Sequence, residues 1–263
     1  MEIAGRVVVV TGAAGGIGRS LCRHFRDAGA RGIVVADLDR AGAEAVAAEL
    51  GGLAVPTDVT SEAQVQALVE TATQAFGRID IYCSNAGIAF SGGEEAPDEA
   101  WNQSWRVHVL AHVYAARHVL PRMVEQGEGY FLGTVSAAGL LNHVLAAPYA
   151  ATKAAGLSFL EWLAVAYGDR GIHVSALCPQ GVRTRMLGIE GDQNFLLAGA
   201  LEPDQVAGCV IEAVSHERFL ILPHPEVEEY FLRKASDYDR WLRGMRRLRE
   251  KVLDQPTGEG ESS

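Results

Sequence analysis

Cysteine is scarce in this chain, and the few residues there are lie far apart. Cys22, Cys83, Cys178 and Cys209 form no C-x-x-C pair and show no metal-ligand spacing, which excludes a disulfide-framed scaffold and predicts reduced thiols in a cytoplasmic protein. No apolar run approaches the ~18 residues that a membrane span needs. The first residues pass from Met1 through Gly5 and Arg6 into four valines, without the basic flank, apolar core and cleavage site of an export signal. Positive charge is in deficit as well. The 23 basic and 33 acidic side chains leave −10 at pH 7, which argues for no nucleic acid and no membrane among the partners and for a small-molecule substrate instead. Internal repeats, low-complexity blocks and Pro- or Ser-rich linkers are absent before the last few residues. With 263 residues and 48% hydrophobic content, a single domain with a sizeable core is the economical reading.

What is present is a succession of short apolar runs separated by helix-like stretches, the pattern of βαβ units winding a parallel sheet. Seven strands are predicted at 7–10, 32–36, 53–56, 79–84, 129–135, 173–178 and 219–222. The fold class is α/β, with the domain running over 1–255 and a frayed tail over 256–263. Residues 233–251 carry eight basic and three acidic side chains. Trp241, Met245, Leu248 and Val252 share one helical face there, which predicts an amphipathic helix at about 225–252 docked by its apolar stripe. A nucleic-acid or membrane contact is the alternative use of that charge.

The first strand leads into Thr11-Gly12-Ala13-Ala14-Gly15-Gly16-Ile17-Gly18 and then a helix. Glycines between a first strand and a first helix let the backbone turn tightly against a pyrophosphate, with free N–H groups and the positive end of the helix dipole facing it. Asp37 ends the second strand, placed to accept hydrogen bonds from ribose hydroxyls and to repel a 2′-phosphate, which favours NAD over NADP. Arg19 and Arg40 are the nearby residues that would argue the other way. Asp58-Val59 and Asn85-Ala86-Gly87 follow the third and fourth strands, either as small residues admitting a flat ligand or as plain turn formers.

Further on, Ser136 ends the fifth strand and Tyr149 precedes Lys153 by four residues, one helical turn. A neighbouring cation favours the phenolate, so Tyr149 is a candidate acid/base, and Ser136 a donor to the same substrate oxygen. Each motif alone is common. Together, in this order and at these separations, they resemble the classical short-chain dehydrogenases/reductases over about residues 1–222. That resemblance implies a Rossmann-type, doubly wound, seven-stranded parallel sheet and a nicotinamide cofactor. It also implies Ser136, Tyr149 and Lys153 as the catalytic set, and a homo-oligomer, tetramer or dimer, built on helices near Trp101 to Glu125 and Tyr149 to Tyr167. It gives Lys153 a second role at the nicotinamide ribose and makes Pro179 through Thr184, including Val182, the loop over the nicotinamide, with Thr184 reaching its carboxamide.

The chain departs from that family at three places. Ser84 stands where Asn is frequent before Asn85, and Gln180 separates Pro179 from Gly181. His108, in Val107-His108-Val109, stands where the family places an asparagine that relays protons from the lysine to solvent. His108 is therefore a candidate catalytic relay, with a structural histidine as the alternative. His108 and His112 share a helix face without a third ligand, so no metal site is expected. The substrate pocket is expected to be walled by Phe90, Ala138, Leu140, His143, Leu145, Gln180, Met186, Leu187 and residues 188–201, which suits a hydrophobic secondary alcohol or ketone. The rival functions are a dinucleotide-binding regulatory protein without turnover and a dehydratase or epimerase on the same scaffold.

Overall fold

In the computed structural model, which describes residues 1–189 and 194–254, the four-valine run becomes β1 (Val7–Thr11). It is followed by α1 (Gly16–Asp27), β2 (Gly32–Asp37), α2 (Arg40–Leu50), β3 (Leu53–Pro56), α3 (Glu62–Phe76) and β4 (Ile81–Ser84). The second half runs α4 (Asp98–Trp105), α5 (Ala111–Gln126), β5 (Gly129–Thr134), α6 (Ala137–Leu141), α7 (Ala147–Tyr167) and β6 (Ile172–Leu177). Then come α8 (Arg185–Ile189), α9 (Asn194–Leu197), α10 (Pro203–His216), β7 (Leu220–Ile221), α11 (Glu226–Ser236) and α12 (Tyr238–Leu253). Every strand pairing is parallel, in the order β3-β2-β1-β4-β5-β6-β7. The expected single Rossmann-type domain is the fold observed, and the strands fall within one or two residues of their expected bounds. The expected tail at 256–263 and residues 190–193 of the expected pocket wall lie outside the described residues.

Alternation along each strand divides the core into two layers. Val8, Val10, Ile33, Val35, Ile81 and Cys83 pack on the face covered by α1, α2 and α10. Val9, Val34, Tyr82 and Phe131 pack on the other, under α3, α5 and α7. Both faces are dry, which is why these strands read as unbroken apolar runs and not as alternating ones. The order reverses between β1 and β4, and the crevice outside the carboxyl ends of the strands at such a reversal is where this architecture binds ligands. Asn85 holds that crevice together. Its Nδ2 donates to the Thr11 carbonyl at 2.9 Å, and its Oδ1 accepts from the Thr134 hydroxyl at 3.0 Å, so one side chain ties β1, β4 and β5.

Between α4 and α5 the helix widens into one π turn, Arg106–Leu110, which carries His108. Such bulges push a backbone segment outward and recur at functional sites. Here the bulge presses onto α7, where a Cβ at Gly156 would sit 2.7 Å from the His108 carbonyl oxygen. At the far end, the single helix expected at about 225–252 is two, α11 and α12. Asp237 lies between them in extended backbone (φ −152°) and its carboxylate accepts from the Arg240 N–H, capping α12.

Gly156→Ala should cost about 1–3 kcal/mol, because the added carbon must displace a backbone carbonyl. Gly208→Ala, in α10 with open space around the same position, should add about 0.5–1 kcal/mol. Urea unfolding of the two variants checks the opposite signs.

Candidate active site

At the carboxyl ends of β1, β2, β4 and β5 lies one cleft of about 1570 Å³, larger than the usual 300–1,000 Å³ of a single small-molecule pocket. One arm follows the glycine loop. Gly12 has φ +66°, and a Cβ on it would lie 2.8 Å from the Ala86 Cα; a Cβ on Gly18 would lie 2.1 Å from the Gly12 carbonyl oxygen. These two glycines let strand, loop and helix close on one another. Gly15, at the N-cap of α1, has nothing within 4 Å of its absent Cβ, so the free N–H end of the helix opens straight into the cleft. A pyrophosphate fits such a cradle. Asp37 ends β2 with Oδ2 on the Ala14 N–H and Oδ1 on the Asp39 N–H, each at 2.9 Å. These bonds fix a negative charge beside the loop. Asp58, Val59, Asn85, Ala86 and Gly87 line the same arm, and the Thr184 methyl closes over Gly16 from the opposite wall.

The other arm collects Ser136, Tyr149 and Lys153. Ser136 caps α6: its Oγ accepts from the Ala138 N–H at 3.1 Å and reaches the Pro179 carbonyl only at 3.4 Å. Pro148 sits in the first turn of α7, where its missing N–H costs nothing, and sets the helix on which Tyr149 and Lys153 stack one turn apart. The Lys153 ammonium donates to the Thr134 carbonyl at 2.9 Å and lies 5.7 Å from the centre of the Tyr149 ring. It is 3% exposed. Burial pulls its pKa from 10.5 to about 7.

Two fully buried histidines, His108 and His112, lie behind this arm and do not line the cleft. His108 stands edge-on to the Tyr149 ring, centroids 5.3 Å apart. Its Nδ1 meets the Thr152 hydroxyl at 2.8 Å and its Nε2 the Ile88 carbonyl at 2.9 Å, with the Ile88 N–H at 3.3 Å. Either tautomer finds partners: Nε2–H donates to Ile88 while Thr152 donates to Nδ1, or Nδ1–H donates to Thr152, which passes its own proton to the Pro148 carbonyl at 2.7 Å. Burial first, and then the Lys153 charge, drive His108 well below the ordinary histidine value, and bring His112 to about 3. The His112 Nδ1 bonds the Ser84 hydroxyl at 2.7 Å, which accounts for serine at that departure from the family pattern. Both rings are engaged with different partners, and among the described residues no group of three or more His, Cys, Asp or Glu is placed to hold a metal.

Of the expected pocket walls, Phe90, Ala138, His143, Gln180, Met186 and Leu187 line the cleft. Leu140 and Leu145 do not. Leu140 turns into the core as its helical turn rotates Leu141 to the cleft, and Val144 replaces Leu145, whose carbonyl pairs with the Gly92 N–H. Two contributions went unread in the sequence. His224, 2% exposed, accepts from the Gln180 N–H at 3.1 Å and contacts the Gly181 carbonyl at 3.1 Å, so it straps the loop after β6. The C-terminal pair α11 and α12 lies across the cleft mouth and brings Tyr230, Arg240, Trp241 and Arg247 to its lining. The amphipathic stripe announced docking but not the place.

A family profile described as short chain dehydrogenase matches residues 6–194. The chain belongs to the short-chain dehydrogenase family. Its relatives include the 1-deoxy-11-beta-hydroxypentalenate dehydrogenase of Streptomyces exfoliatus, 35% identical over 236 residues that cover 86% of each chain. Among solved structures, a short-chain dehydrogenase/reductase from Burkholderia phymatum in complex with NAD superposes with a TM-score of 0.83 at 26% identity, covering all of both chains. The 3-ketoacyl-(acyl-carrier-protein) reductase of Brucella melitensis complexed with NADH gives 0.79 at 30% identity over 84% of this chain and 97% of that one. This short-chain dehydrogenase is thus an oxidoreductase with a nicotinamide-binding fold, and its crevice has the glycine cradle the cofactor needs.

The buried histidines set a pH limit on stability. An unfolded histidine takes up its proton near 6.5, whereas native His112 does so near 3. The unfolded state binds more protons in between, and stability falls as pH drops from 6.5 towards 3. His112→Asn should flatten that acid limb, measured as urea midpoints against pH. His108→Asn should flatten it too and leave the pH–rate profile near neutrality unchanged; loss of an ionisation near neutral pH would instead identify His108 as a proton relay.

Proposed function

We propose that the protein is an NAD-dependent dehydrogenase or carbonyl reductase acting on an apolar secondary alcohol or its ketone. The observation that carries this reading is that Ser136, Tyr149 and Lys153 open into the same cleft as the glycine loop. NAD would be held by Gly12, Gly16, Ile17 and Gly18 at its pyrophosphate, by Asp37, Asp58 and Val59 at its adenosine, and by Asn85, Ala86, Gly87, Lys153, Pro179, Val182 and Thr184 at its nicotinamide half. When bound, it would supply the hydride donor or acceptor for the carbinol carbon of the substrate. The Tyr149 hydroxyl gives its proton to the carbonyl oxygen in reduction, leaving phenolate, and the phenolate takes a proton from the alcohol in oxidation. Ser136, whose bond to Pro179 is long, donates to the same oxygen as charge gathers there. Lys153 presents its charge to the phenol from below, and its pKa of about 7 lets it gain and lose a proton at little cost near neutrality. His108 is a positioning residue: by joining Thr152 to Ile88 it fixes the first turn of α7 against the loop after β4.

The apolar walls Phe90, Leu141, Val144, Met186 and Leu187 support a hydrophobic substrate, as does the named hydroxy substrate of the Streptomyces relative. Self-association fits the exposed Trp105, Trp162 and Val165 along α4 and α7. A cytoplasmic setting fits four free cysteines and the absence, among the described residues, of a helix long and apolar enough to cross a membrane.

Calorimetric titration with NAD and NADP should give at least a tenfold weaker Kd for NADP, a gap that Asp37→Ala narrows. Equal affinities for the parent protein would remove Asp37 from cofactor selection. Tyr149→Phe should lower kcat by about 10² to 10⁴ while leaving NAD affinity nearly intact; activity within a few fold of the parent would take Tyr149 out of the chemistry.

A further inference from the structure

The charge concentrated near the C-terminus finds a place in the cleft. Along α12, Arg240, Gly244 and Arg247 stack on one face, since steps of four and three residues return to the same side of a helix. Trp241, Met245 and Leu248 form the adjacent stripe one residue on, and both stripes line the cleft. The apolar stripe is half-buried, whereas both arginines are exposed. Of the other arginines on the cleft, Arg233 pairs with Glu229, while Arg106 and Arg185 lie on other elements and, among the described residues, form no ion pair. Among the described residues, no carboxylate pairs with Arg240 or Arg247. The acidic side chains of the cleft, Asp37, Asp39 and Asp58, sit at the adenosine arm, and Asp237 is occupied in capping α12. The helix cannot swing away freely, because Lys234 of α11 donates to the Leu140 carbonyl of α6 and Tyr230 packs on Trp241 at 6.4 Å.

We propose that the substrate carries a carboxylate on its apolar body and that Arg240 and Arg247 bind this anion at the outer end of the cleft, away from Tyr149. This rests on the dehydrogenase reading and sharpens it: the substrate is an apolar hydroxy or keto acid, gripped by its charge at α12 and by its carbinol at Ser136 and Tyr149. Gly244 between the two arginines leaves room for the anion to approach the helix, since nothing nearer than the Arg247 guanidinium, at 3.9 Å, faces its absent Cβ. Guanidinium groups suit the task, because their planar fork meets a carboxylate with two parallel bonds.

The test is a panel of secondary hydroxy acids, from short hydroxyalkanoates to lithocholate, each beside its methyl ester. Binding to the NAD-loaded protein is measured by calorimetry and oxidation by nicotinamide absorbance. The best-bound acid should exceed its ester by on the order of 10- to 100-fold in affinity, and Arg240→Ala/Arg247→Ala should bring the ratio close to unity while the melting temperature and NAD affinity hold. An acid preference in binding without oxidation of either member keeps the anion site and overturns the dehydrogenase reading. Oxidation of acids and esters with equal efficiency does the reverse. A panel in which no acid outperforms its ester, or a preference that survives the double substitution, overturns the proposal. So does a double variant that loses binding to phosphatidylserine vesicles while its acid preference stands, since the arginines would then serve a surface.

Discussion

A lysine amine buried against the last carbonyl of a central strand is the constraint on which the rest of this site depends. Lys153 is held at the Thr134 carbonyl with almost no access to water, and burial, the dominant cause, brings its pKa to about 7, so that it is half protonated near neutral pH. The groups around it are arranged to leave that charge uncompensated. The two nearest histidines are kept neutral, in part by the lysine itself, and among the described residues no carboxylate forms an ion pair or hydrogen bond with the ammonium. A carboxylate there would restore the ordinary lysine pKa and hold the proton. The price in stability is the usual one for a reactive group kept out of water.

The parallel sheet makes this placement possible. Thr134 and Ser136 lie at and just beyond the end of β5, Asn85 just beyond β4, and Thr11 at the end of β1. Parallel pairing brings those ends to one edge, where Asn85 cross-links them before any ligand arrives. The helix α7 then lowers Tyr149 and Lys153 onto the edge, guided by Pro148 in its first turn and pressed by the π turn at Arg106–Leu110. His108 joins these pieces through hydrogen bonds to Thr152 and Ile88, fastening α7 to the loop after β4.

Much of this was legible in the sequence for definite reasons. Strands buried on both faces announce themselves as runs such as Val7 to Val10, and a glycine loop followed by a helix marks the first βα turn. The family motifs located the residues now found along one cleft. Other features depend on distance in space. Nothing in the neighbourhood of His224 reveals that it straps Gln180 and Gly181, more than forty residues earlier in the chain. The turn that sends Leu140 inward and Leu141 to the cleft is a rotation of one residue in a five-residue helix, below what periodicity resolves. The break at Asp237 was missed because the amphipathic stripe of α12 hid a cap inside what read as one helix, and the destination of that helix is a tertiary fact.

The ionisation of Lys153 is the quantity that tests this account most directly. In protein labelled with ¹⁵N at lysine Nζ and free of cofactor, the Lys153 resonance, assigned by its loss in Lys153→Met, should titrate with a midpoint near 7, in line with burial at the Thr134 carbonyl. A midpoint near the ordinary 10.5 would show an amine in water or beside a counter-charge, and would contradict the buried, uncompensated lysine on which the site is built.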